Sequence, residues 1–74
     1  MNGIISDACR DICDGAYIRT TNGDSIGDDG FSDVVFDSAM ALHNETGIPW
    51  RTLRSMLWRA AETGAEHAEK DMTA

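Results

Sequence analysis

Apolar residues recur at helical spacing in three stretches of the chain, and the segment between the first two holds residue types that suit a strand. From Gly3 to Asp14, Ile5, Ala8, Cys9 and Ile12 fall on one face at about 100° per residue, with Asp7, Arg10, Asp11 and Asp14 on the other. This predicts a helix over about 3–14, stopped by Gly15. Ser32 is placed to cap a second helix over about 32–46, with Gly47 as terminator. Its apolar face holds Phe31, Val34, Val35, Ala39 and Leu42, and a second stripe holds Phe36, Met40 and His43. A helix apolar on two sides needs two neighbours, so this stripe is expected to be a core or dimer contact. Pro49 suits the first turn of a third helix over about 49–69, whose core face is Leu53, Met56, Leu57, Ala60 and Gly64. Lys70 to Ala74 are expected to fray.

Tyr17, Ile18 and Thr20 favour a strand, and Asn22-Gly23 favours a tight hairpin turn, so a small β-ribbon is predicted over about 16–26. The expected fold is mostly α: an N-terminal helix, a small β-ribbon and a C-terminal helical hairpin in one domain spanning residues 1–74. A domain this short buries only about 60% of its unfolded surface, so doubling as a homodimer is expected.

Charge singles out the third helix. The chain carries a net −7, with eight acids against two bases in residues 1–37 (−6) and five against four in residues 38–74 (−1). Within that acidic chain, Trp50 to Ala61 contains three arginines, both tryptophans and no acid. Trp58 lies about 80° from Trp50 around the helix and shares its arc with Arg51, Arg54 and Glu62. Arg51, Arg54, Trp58 and Arg59 are therefore the candidate partner-binding residues, since Arg and Trp dominate binding energy at protein interfaces. The bland alternative has Trp58 folding onto the domain's own hairpin and the arginines pairing with the acidic first half.

Asp24, Asp28, Asp29, Asp33 and Asp37 form a candidate acidic surface. Neither Gly27 nor Gly30 supports the ligand order of a calcium loop, which leaves a solvated surface or a mimic of nucleic-acid phosphates. Cys9 and Cys13 stand four apart on one helix face, a poor geometry for a disulfide, and their spacing matches no usual zinc pattern; no metal or other cofactor is expected. No nucleophile and base, His-Glu metalloprotease pair or phosphate-binding glycine loop is present, so an enzyme is not expected. No apolar run approaches the roughly 20 residues of a membrane span and no signal-peptide pattern opens the chain, so a cytoplasmic protein without membrane contact is expected.

The stretch from Leu42 to Leu53 resembles the turn of helix-turn-helix proteins and, equally, the second-helix start of ribbon-helix-helix repressors and antitoxins. Gly47, Ile48, Thr52 and Leu53 carry the resemblance, which extends over residues 42–57. It implies DNA binding, with Pro49, Trp50, Arg51 and Arg54 opening a recognition helix. In size, acidity and lack of catalytic residues the chain also resembles accessory proteins of phages and mobile elements. That resemblance implies a protein target, a host or defence protein that is inhibited or redirected. The expectation is a small acidic protein-binding module acting through its third helix and acidic surface, with a sequence-specific DNA-binding regulator as the alternative.

Overall fold

The computed structural model describes residues 3–27 and 29–73; Asp28 lies outside it, as does the side chain of Asp29. Three helices account for most of the chain: α1 over Gly3–Thr21, α2 over Asp29–Thr46 and α3 over Trp50–Thr73. No strand occurs among the described residues, so the expected β-ribbon over 16–26 is corrected to helix followed by loop.

The physical reason lies at Gly15 and Asn22-Gly23. A glycine inside a helix costs about 1 kcal/mol relative to alanine, which packing can override. Here α1 runs through Gly15 because Ile12 and Ala16, one turn apart, are both buried in the core. Tyr17 and Ile18 then continue the helix despite their preference for strands, and Tyr17 donates its hydroxyl proton to the Asp71 carboxylate on α3. The Asn22-Gly23 pair does supply a left-handed backbone, with Gly23 at φ 90°, but for a different purpose. The Asp24 amide donates to the Arg19 carbonyl at 2.9 Å and the Gly23 amide to the Thr20 carbonyl at 3.1 Å. This is the Schellman arrangement that closes a helix. A hairpin turn and a helix stop both require positive φ, and local sequence does not separate them.

The start of α2 also differs from expectation. α2 begins at Asp29, so Ser32 sits one turn inside the helix instead of capping it. α2 ends as expected at Gly47, whose φ is 77° and whose amide donates to the His43 carbonyl at 2.8 Å. The Ile48 carbonyl oxygen lies 2.7 Å from His43 Nδ1, which must therefore carry a proton and donate it. The carbonyl of Pro49, which immediately precedes α3, accepts from the Thr52 and Leu53 amides at 3.1 and 3.2 Å.

The contacts order the helices. As α3 advances from Trp50 to Trp58, its aromatic partners on α2 run backward from Phe36 to Phe31, so α2 and α3 are antiparallel. α1 runs parallel to α3, with Cys13 beside Gly64 and Tyr17 beside Asp71. The buried face of α3 is Leu53, Leu57, Ala61, Gly64 and Ala68, a series that shrinks toward the C-terminus. The leucines pack into the core shared by the three helices, and Gly64 lets the α1 backbone come close. A Cβ at Gly64 would lie 2.1 Å from the Cys13 carbonyl oxygen. Ile12, Ala16, Phe31, Val35, Ala39 and Leu42 complete the core. Met56, expected in the core, is instead 41% exposed. α3 is helical through Thr73, beyond the expected end near residue 69, with Ala68 buried one turn before Met72. The radius of gyration, 12.4 Å, exceeds the roughly 11.3 Å of a compact chain this long, and extents of 40 × 26 × 14 Å show a flattened bundle.

Candidate protein-binding face of the third helix

The α3 helix turns its core side to α1 and α2, which leaves its opposite side in solvent. Arg51, Arg54 and Arg59 are all exposed. The first turn of α3 contains Arg51 and no acid, although the positive end of the helix dipole disfavours a cation there by about 0.3–1 kcal/mol. Nor, among the described residues, do these arginines pair with the acids of the first half of the chain. Among the described residues the only ion pair is Arg10–Asp7, at 2.8 Å within α1. Three cations are thus held where they contribute little to the fold.

Arg54, Trp58 and Arg59 share one shallow depression of about 520 Å³, together with Ser55, Met56 and Glu62. Arg51 is not part of its lining; its guanidinium lies over the Trp50 ring at 5.8 Å. Trp58 divides its surface between core and solvent. Half-buried, it packs at 6.2 Å against the Phe31 ring, over which the Arg19 guanidinium also lies, 5.2 Å from the ring centroid. The indole is therefore fixed in orientation by the core.

The stripe of Phe36, Met40 and His43 is drawn largely into the hairpin itself. Phe36 meets Trp50 edge to face at 5.5 Å while staying 43% exposed, Met40 is half-buried, and His43 holds the Ile48 carbonyl. Of the acidic set, Asp24, Asp33 and Asp37 are exposed. Asp33 and Asp37 stand one turn apart on α2, whereas Asp24 belongs to the loop after α1.

Sequence reasoning missed the Tyr17–Asp71 hydrogen bond, because no local pattern relates residues at opposite ends of the chain. The bond to Asp71, followed by partial burial and the nearby carboxylate charge, pushes the Tyr17 hydroxyl above its usual pKa. Cys9 and Cys13 are free and half-buried, and burial pushes the Cys9 thiol up. Among the described residues no group of three or more His, Cys, Asp or Glu side chains is placed to hold a metal ion, and no helix is long and apolar enough to cross a membrane. No protein-family profile, curated protein or solved structure matches the chain.

Proposed function

We propose that the chain is a small protein-binding module that docks through the outer face of α3, with Trp58 as its anchor and Arg51, Arg54 and Arg59 around it. The observation that carries this reading is the gathering of Arg54, Trp58 and Arg59 in one open depression while none of the three arginines has a carboxylate partner among the described residues. Free guanidinium groups beside a half-buried indole held in place by the core combine the residue types and the preorganisation that interfaces favour. The exposed acids elsewhere leave the molecule electrically polarised, which steers approach and orientation. A module of this size acts by covering a functional surface of its target, and inhibition or redirection of a host or defence protein is the mode that fits.

The competing occupant of this face is DNA, because Arg51 and Arg54 open the second helix of a tight helix-turn-helix-like hairpin. Affinity capture with the tagged chain from cells of its source, with and without nuclease, separates the two. A single protein retained at near-equal amount after nuclease, and lost with Trp58→Ala in a still-folded chain, is the expected result. Recovery of one enriched DNA sequence without protein, abolished by Arg51→Ala with Arg54→Ala and by added salt, would replace the proposal with the DNA reading.

A further inference from the structure

The α1 and α2 helices touch each other far less than either touches α3. Between them lies a second open groove of about 520 Å³, lined chiefly by Ile4, Asp7, Ala8 and Asp11 of α1 and by Ala41 and Leu42 of α2. Its floor is apolar: Leu42 belongs to the core and Ala8 is half-buried against it. Ile4 remains 43% exposed at its mouth. Val34, 44% exposed, stands seven residues before Ala41 and so continues the same face of α2. The rims are acidic. Asp7 and Asp11 are exposed on α1, and Asp37, exposed and four residues before Ala41, flanks the groove on α2. Arg10, a base beside them on α1, is engaged with Asp7.

We propose that this groove receives a cationic amphipathic helix of a partner protein. An apolar floor between carboxylate rims is complementary to a helix with an apolar stripe flanked by lysine or arginine. The lined segment of α1, Gly3 to Asp11, is about 12 Å long, enough for two turns of such a helix with anchors at i, i+4 and i+7. A second copy is a poor occupant, because each copy carries −7 and two such faces would bring the same aspartates together. The groove shares no residue with the α3 face, so the two can succeed or fail separately.

The probe is a synthetic helical peptide of leucine and lysine with one apolar face, alongside the same peptide with glutamate in place of lysine, titrated into isotope-labelled full chain by NMR. The lysine peptide should shift amide signals of residues 4–11 and 34–42 and bind more weakly as salt is raised, and the glutamate peptide should not bind. Ile4→Ser with Val34→Ser should weaken binding at least about tenfold, since two apolar contacts are lost. Asp7→Asn, Asp11→Asn and Asp37→Asn combined should lower both affinity and salt dependence, and Arg54→Ala with Arg59→Ala should change neither. Should the first variant fail to fold, the aspartate variant, confined to exposed side chains, decides the matter alone. Equal binding of both peptides, shifts confined to α3, or insensitivity to the aspartate changes would overturn the proposal. So would sedimentation showing a dimer that Ile4→Ser with Val34→Ser dissolves.

Discussion

Gly64 of α3 lies so close to Cys13 of α1 that a Cβ there would stand 2.1 Å from the Cys13 carbonyl oxygen and 2.9 Å from its carbonyl carbon. The obstacle is main chain, which cannot rotate away as a side chain can. Gly64→Ala should therefore destabilise the fold by about 1–3 kcal/mol or more, although alanine is intrinsically the better helix former. Urea unfolding compared with wild type checks this. A variant as stable as the parent would mean that the two helices do not approach at this point.

At Gly15 the same substitution should have the opposite sign. A Cβ there would meet Phe31 Cε1 at 3.8 Å, an ordinary contact, and the residue lies in the helix interior. Gly15→Ala should stabilise by about 0.4–1 kcal/mol by restricting the unfolded chain and adding contact surface. A raised thermal midpoint is the expected readout.

The Tyr17–Asp71 bond gives an alkaline limit to stability. Folding holds the phenol proton more tightly, so the folded chain binds more protons than the unfolded one once pH passes the ordinary tyrosine value near 10. The bond's contribution is fully present below that pH and is lost as pH rises through the higher folded value. Tyr17→Phe should weaken the parent's loss of stability in that range, and phenolate absorbance should show the chain's one tyrosine titrating late. An ordinary titration midpoint in the folded protein would remove the bond from the account.

Trp58 and its neighbouring arginines should separate stability from binding. Arg54→Ala and Arg59→Ala, in exposed positions without ion pairs among the described residues, should each change stability by no more than about 0.5 kcal/mol while weakening capture of the target. Trp58→Ala should do both, because the partly buried ring packs against Phe31. Trp58→Phe, which keeps an aromatic on Phe31, is the variant whose loss of capture would report on the exposed edge. If neither arginine change affects capture, the α3 face is not the interface.

What the sequence revealed of the fold and the candidate site follows the range of the interactions involved. The helical hairpin and its Gly47 stop were legible because both follow from periodicity and a positive φ within a few residues. That Arg54 and Trp58 share one arc of α3 was legible from helical spacing, although only the structure shows Arg59 in the same depression and Trp58 half-buried against Phe31. The stretch from Gly15 to Thr21 was not legible, since its glycine, aromatic and β-branched residues locally favour a break and a strand. Burial of Ile12 and Ala16 and the Tyr17 contact with Asp71 override that preference, and the second of these depends on a partner 54 residues away. The acid-rimmed groove likewise exists only once α1 is laid beside α2, which no local spacing announces.

The parallel setting of α1 and α3 means that α1, synthesised before the other two helices, finds its main partner in α3, made after both. The α2–α3 hairpin closes over a three-residue connection and can form early, whereas α1 must wait for a loop of dozens of residues to close. Chains halted before the Gly64–Asp71 segment emerges should leave α1 undocked, its Ile5–Ala8–Cys9–Ile12 stripe uncovered and open to chaperones. Limited proteolysis of such stalled chains should cut α1 readily and of released chains slowly; equal resistance in both would show that α1 docks without the end of α3.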